Sequence, residues 1–188
     1  MAYSRSHANR GKTLENLIDG TNNMYRNGGK ADVDKVPEPV KILKVEKNKV
    51  TGHLDTPKWV DYVGVSAGKA IIFDAKEIHD TKLPLKNITP KQYQKLRSWY
   101  QQGAASFLIV AFWIEGKNEP EVYLLKFWQL AAFYEEQKIG RGTKSIKLDF
   151  FRESCARIGS ENGYAINYLK ILENEWVGTK NYLIKNEI

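Results

Sequence analysis

Asp61, Asp74 and Lys76 have the types and spacing for metal-assisted hydrolysis of a phosphodiester. Trp59 to Val65 and Lys69 to Lys76 are rich in Val, Ile, Tyr and Phe, the composition of β-strands. Strand side chains alternate between faces, so Asp74 and Lys76 point one way and Ala75 the other. The short link Ser66-Ala67-Gly68 makes the two runs a β-hairpin, and a two-residue loop at Ala67-Gly68 sets Asp61 directly opposite Asp74. Opposed like charges destabilise a sheet, and Val60, Ile72 and Phe73 add a desolvation cost, so the acid pair needs compensation. A hard divalent cation supplies it: Mg²⁺ takes one or two carboxylates and keeps several waters for phosphate chemistry. Such an ion acidifies its water and offsets charge on the attacked phosphate. Lys76 is then placed to orient or deprotonate the water, or to stabilise the pentacovalent state. Spacing alone also accommodates a surface Asp61 beside an ordinary Asp74-Lys76 strand pair.

The elements that must carry these residues read as follows. Leu14, Leu17, Ile18, Thr21, Met24 and Tyr25 recur at helical offsets from about Lys12, and Gly28-Gly29 stops that helix. Over Asp32 to Asp55, Pro37 and Pro39 forbid helix, Val40 to Val45 alternates as an edge strand, and Lys47-Asn48-Lys49 offers a turn. This segment is expected to project as a basic hairpin. Thr89 caps a helix with Pro90 at its first position, running through Gln92, Tyr93, Leu96, Trp99 and Tyr100 to Gly103. Phe107 to Ile114 reads as a buried central strand, Glu121 to Phe127 as another, and Trp128 to Gln137 as a short helix. Gly140 to Lys144 reads as a flexible basic loop, and Tyr164 to Trp176 as a last helix. The sum is an α/β class protein, a mixed sheet flanked by helices.

The 188 residues argue for one domain spanning 1–188, with the insertion at about 32–55. Twenty-nine Lys and Arg against 22 Asp and Glu leave a net charge of +7, the sign expected of a nucleic-acid partner. The excess is clustered. Residues 1 to 12 hold Arg5, Arg10 and Lys12 with no acid. From Lys76 to Arg97 six bases face Glu77 and Asp80, and from Lys138 to Arg157 six bases face Asp149 and Glu153, a surplus of four each time. Solvated surface lysines would look the same.

In order along the chain stand Arg10-Gly11-Lys12 with Leu14-Glu15, Thr21-Asn22 with Tyr25, Lys35-Val36-Pro37-Glu38-Pro39-Val40-Lys41-Ile42, Val60-Asp61-Tyr62, Phe73-Asp74-Ala75-Lys76-Glu77, Pro84-Leu85, Gln92 and Phe107 to Phe112. Asp61 with Asp74-Ala75-Lys76 resembles the divided site of restriction-endonuclease-like nucleases, and the whole order resembles the RecU family of Holliday-junction resolvases. The resemblance implies a restriction-endonuclease-like fold and a Mg²⁺-dependent homodimer, with Mn²⁺ substituting, that nicks opposed strands of a four-way DNA junction and leaves 5′-phosphates. It implies metal ligation by Asp61, Asp74 and the Ala75 carbonyl, and catalysis by these acids with Lys76, Gln92 and Glu15. For Glu15 a solvent-facing partner role toward Asp19 stays open. It implies DNA contacts from Arg10, Lys12 and the stalk lysines Lys35, Lys41, Lys44, Lys47 and Lys49, with recombination proteins of the host as possible partners. Two departures stand out: Lys91 precedes Gln92 where the family has histidine, and Thr56-Pro57-Lys58-Trp59 replaces a Ser/Thr-rich lead into Asp61.

Other chemistries have little support. The single cysteine, Cys155, excludes an internal disulfide or a thiol-based zinc site, and His7, His53 and His79 lack metal-ligand spacing. No glycine-rich phosphate loop is present. The apolar stretch Gly103 to Ile114 is too short to cross a bilayer, and the N-terminus carries no apolar signal, so a cytoplasmic protein without membrane contact is expected. Trp99, Trp113 and Trp128 read as core or dimer-interface residues, and Trp59 as either that or a base-stacking residue. The alternatives to a resolvase are a nuclease of the same fold acting on flaps or duplex, and a recombination protein that holds junctions without cutting.

Overall fold

The computed structural model describes residues 12–54 and 59–176. Chain order is α1 (Lys12–Asn27), β1 (Asp32–Lys35), β2 (Val40–Glu46), β3 (Lys49–Leu54), β4 (Tyr62–Ser66), β5 (Lys69–Ile78), β6 (Lys82–Pro84), a 3₁₀ turn (Leu85–Asn87), α2 (Pro90–Gln101), β7 (Ala105–Phe112), β8 (Glu121–Lys126), α3 (Phe127–Lys138), β9 (Ser145–Lys147), α4 (Leu148–Ser154) and β10 (Ala156–Arg157). A further helix, α5, covers residues 168–176. Six strands form the central sheet in the order β1-β4-β5-β7-β8-β10. Only β5 and β7 run parallel, joined through β6 and α2, and the other pairs are antiparallel. The mixed sheet flanked by helices is the α/β class expected from the sequence.

Alternation along β5 assigns the two faces. Ile71 and Phe73 pack with Leu14, Ile18 and Tyr25 of α1 and with Tyr168, Leu169 and Leu172 of α5. Ile72 and Ile78 pack under Tyr93 and Leu96 of α2, Leu130 of α3 and Phe151 of α4. Tyr62, Phe73 and Phe107 stack across three adjacent strands with centroids 4.8 and 4.9 Å apart, fixing the register beside the acid pair. The β4–β5 loop is the two residues Ala67 and Gly68, at φ of 48° and 77°, the positive values that a tight hairpin turn requires. Gly64 lies opposite Val33, where a Cβ would stand 2.2 Å from the Asp32 carbonyl oxygen, so only glycine lets β1 close on β4.

The stretch expected to project as a unit, 32–55, divides. β1 belongs to the central sheet because it pairs along its whole length with β4 and buries Val33, while Arg26 of α1 binds Asp32 at 2.6 Å and also Asp34 on its exposed side. The free ribbon is β2–β3, which pair only with each other and expose every residue. A bulge at Leu43 shifts its register between Ile42 and Lys44. Lys41 opposite His53, and Lys44 opposite Thr51, therefore share one face, while Val40, Ile42, Val45, Val50 and Leu54 share the other.

Elsewhere the chain departs from its local patterns. Residues 161–164 form a tight turn with Asn162 and Gly163 at positive φ, so the last helix begins at residue 168 and not at Tyr164. Strands β6 and β9 and helix α4 were not legible. Trp128 is 54% exposed on α3 and is no core residue. Among the described residues no helix is long and apolar enough to cross a membrane.

Candidate active site

Asp74 sits mid-way along β5, completely buried, with Lys76 two residues on and facing the same α2 side. Its two oxygens are differently served. Oδ1 accepts the Gln92 Nε2–H at 2.9 Å. Oδ2 is sealed from solvent, accepts no directional hydrogen bond, and is met by the Lys76 ammonium. A buried carboxylate oxygen left to a single cation is costly unless something else binds it.

Asp61 reaches the same place from β4. The ladder pairs Tyr62 with Phe73, as a two-residue loop requires, so the next position brings Asp61 to Asp74. Asp61 itself lies just before β4, where its carbonyl oxygen accepts the Val36 N–H at 2.8 Å and its Oδ2 accepts the Ala75 N–H at 2.8 Å. Burial, and after it the nearby Asp74 carboxylate, push the Asp61 carboxyl up to about 7. The Ala75 hydrogen bond and the Lys76 charge pull the other way without cancelling that rise.

Gln92 is positioned by the start of α2. Its N–H donates to Thr89 Oγ1 at 3.2 Å, and its Oε1 accepts the Thr89 N–H at 3.1 Å, a reciprocal cap. With Oε1 committed to the cap, Nε2 is the atom left to face Asp74. The structure thus brings Asp61, Asp74, Ala75, Lys76 and Gln92 together.

The other expected site residues belong to different elements, although Lys35 stands within electrostatic reach of Asp61. Glu15 is on α1, against the opposite face of the sheet, and accepts the Lys35 ammonium at 2.7 Å. Lys35, expected as a DNA contact, is paired with Glu15 while staying part-exposed, and this partner raises its pKa. Lys41, Lys44, Lys47 and Lys49 are exposed on the free ribbon or its turn, with Lys44 bonded to Glu46 at 2.6 Å. Arg10 and the Lys12 side chain lie outside the described residues, as does His7. Sequence reading missed Glu77, whose Oε1 accepts the Trp113 indole N–H at 2.6 Å and whose pKa is raised by burial. It named Trp59, two residues before Asp61, but not the Lys95 ammonium that covers its ring at 4.1 Å. Both contacts join segments distant in sequence, so no local pattern signals them. Cys155 is half-buried with its thiol pushed up to about 12, unsuited to nucleophilic work.

The oxygen-only set of two carboxylates and the Ala75 carbonyl fits a hard cation that keeps its waters better than a transition metal. Among the described residues no group of three or more His, Cys, Asp or Glu forms a denser metal cage.

The family model for Recombination protein U matches residues 9–174, a span that contains every one of these groups. This chain belongs to the RecU family. Proteins named Holliday junction resolvase RecU from Streptococcus pneumoniae strains Taiwan19F-14 and CGSP14 are each 30% identical over 96% of this chain and 91% of their own. That from serotype 19F strain G54 is 29% identical over the same shares. A solved structure of Archaeoglobus fulgidus Hjc, a Holliday junction resolvase from an archaeal hyperthermophile, gives a TM-score of 0.41 and 11% identity over 76% of this chain and 94% of that one.

Proposed function

We propose that this RecU-family chain is an endodeoxyribonuclease that resolves four-way DNA junctions, acting as a Mg²⁺-dependent homodimer that makes paired symmetric nicks with 5′-phosphate ends. The single observation that carries the reading is the meeting of Asp61 and Asp74 with the Lys76 ammonium at the latter's otherwise unsatisfied Oδ2.

Asp61, Asp74 and the Ala75 carbonyl would hold the ion. When bound, Mg²⁺ supplies an acidified water and charge compensation at the attacked phosphate. The chain's own groups do the rest. Lys76, held against Asp74, orients the attacking water and stabilises charge that develops on the phosphate oxygens. Gln92 keeps Asp74 in one rotamer, so the carboxylate need not reorganise during the reaction. The Ala75 N–H holds Asp61 Oδ2 at 2.8 Å and so fixes the carboxylate that would serve as a ligand.

The exposed β2–β3 ribbon supports a branched substrate. Its lysine-bearing face stands clear of the sheet, where it can enter the opened centre of a junction that four strands fill with phosphates. Cleavage of a labelled four-way junction and a matching duplex, each with Mg²⁺ or EDTA, tests the proposal. Mg²⁺-dependent cutting of the junction, in two symmetric strands, is expected. Junction binding without cutting would leave a junction-holding protein, and equal cutting of both DNAs a duplex nuclease.

A further inference from the structure

Two lysine-rich stretches that the nuclease site does not use, one before α2 and one after α3, are brought together by the β6–β9 ribbon. Lys82 pairs opposite Lys147, Leu83 opposite Ile146 and Pro84 opposite Ser145. Leu83 and Ile146 are completely buried, so alternation turns Lys82 and Lys147 outward on one face, directly across from each other. The pairing continues at both ends: Leu148 N–H donates to Thr81 O at 2.8 Å and Leu85 N–H to Lys144 O at 3.0 Å. Lys86, in the turn that follows β6, and Lys144 are both exposed beside it.

Directly opposed ammonium groups destabilise a ribbon, and among the described residues no opposite charge relieves them. Among the described residues no carboxylate pairs with Lys82, Lys86, Lys144 or Lys147, because the acids nearby are already engaged. Asp80 accepts the Thr81 N–H at 2.6 Å, Asp149 lies 3.5 Å from Arg152, and Glu121 holds Arg152 at 2.9 Å. Lys82, Lys147, Asp149 and Arg152 line one cleft of about 540 Å³. Arg152 is spent on its two acids, so the two lysines are the cleft's uncommitted cations among the described residues. The same ribbon leads through Leu85–Asn87 into Thr89 and Gln92, the residues that cap α2 and hold Asp74, so the ridge adjoins the proposed active site along the chain.

We infer that the Lys82/Lys147 ridge, flanked by Lys86 and Lys144, is a second binding surface for the phosphate backbone of duplex DNA, gripping an arm of the substrate away from the β2–β3 ribbon. The inference rests on the nuclease reading. Phosphates recur along a duplex at about one charge per 1.7 Å of axis, and unpaired ammonium groups fixed on a rigid ribbon match a partner recognised by charge and not by sequence.

The test is binding of the full chain to a four-way junction in EDTA, measured between 50 and 200 mM salt. For Lys82→Ala with Lys147→Ala, the slope of log K against log salt should flatten by about 2, one for each phosphate that is no longer neutralised. Affinity at the low-salt end should fall about tenfold, alike for arms of different sequence. Lys82→Arg with Lys147→Arg should keep both values, and Lys170→Ala, on the other face of the sheet, should change neither. Lys82→Gln with Lys147→Gln carries the same expectation as the alanine pair if circular dichroism shows that alanine disturbs the fold. If the parent binds and a folded, uncharged pair binds with the parent's slope, the ridge is not a DNA surface although the nuclease reading stands. If the parent binds no DNA, both fall together.

Discussion

Gln92 donates Nε2 to Asp74 Oδ1 at 2.9 Å while its Oε1 accepts the Thr89 N–H at 3.1 Å, so one side chain both starts α2 and fixes the buried acid of β5. The cap decides which end of the amide meets the carboxylate. Folding of the helix and orientation of the site are therefore one event.

Replacing Gln92 with Ala removes both interactions. A lost cap and a buried carboxylate oxygen left without its donor together lower stability by about 1–3 kcal/mol, which urea unfolding would measure. Cleavage should fall as well. Parental stability and rate would show that the amide holds nothing.

Asp74→Asn should abolish cleavage and leave junction affinity in EDTA nearly unchanged, since the carboxylate is assigned to the ion and repels phosphate. Lys76→Ala should slow the reaction, by at most several kcal/mol of transition-state stabilisation, and leave Mg²⁺ affinity almost intact. Single-turnover cleavage and Mg²⁺ titration separate the two. Retained cutting by Asp74→Asn would move the active site elsewhere.

Without metal, Asp61 makes stability depend on pH. Its folded pKa, about 7, lies above the ordinary 3.8, so between those values the folded chain keeps a proton that the unfolded chain has lost. The contribution of this group is therefore fully present below about pH 4 and declines as pH rises to 7. In EDTA the stability of Asp61→Asn relative to the parent should grow across that range. Mg²⁺ at pH 8 should raise the parent's Tm and leave that of Asp74→Asn unmoved. A parent Tm indifferent to Mg²⁺ would contradict the metal assignment.

Glu121 predicts the opposite slope. Arg152 first, then Lys117, hold its carboxyl far below the usual carboxylate range, with contacts at 2.9 and 2.5 Å. The stability it lends is present above about pH 4.5 and lost as pH falls through its lowered folded pKa. Glu121→Gln should cost about 1–3 kcal/mol at pH 7, and the gap to the parent should close in acid. A constant gap from pH 7 to pH 2 would exclude the ion pair as its cause.

The ribbon prediction concerns substrate choice. Because β2 and β3 pair only with each other, replacing residues 40–54 with a short Gly-Ser link removes a complete unit and leaves β1 in the sheet. Junction affinity should drop far more than duplex affinity. If the shortened chain, folded by circular dichroism, prefers junctions as the parent does, that preference must arise from the spacing of two active sites across a dimer.

The acid pair was legible in the sequence because its causes are local. A two-residue turn at Ala67-Gly68 fixes the ladder, the ladder sets Asp61 against Asp74, and a two-residue period puts Lys76 on Asp74's side. The cap at Thr89 and Pro90 was legible for the same reason, since helix starts depend on a few adjacent groups. What tertiary structure decided involves partners far apart along the chain. Pairing with β4 and burial of Val33 took β1 out of the expected stalk and into the sheet, and Lys35 went to Glu15. The strands β6 and β9, three residues each, exist because burying Leu83 and Ile146 on one core outweighs the repulsion of the lysines beside them. Short strands carry too little periodicity to be read alone, and their pairing is chosen only when the rest of the fold brings them within reach.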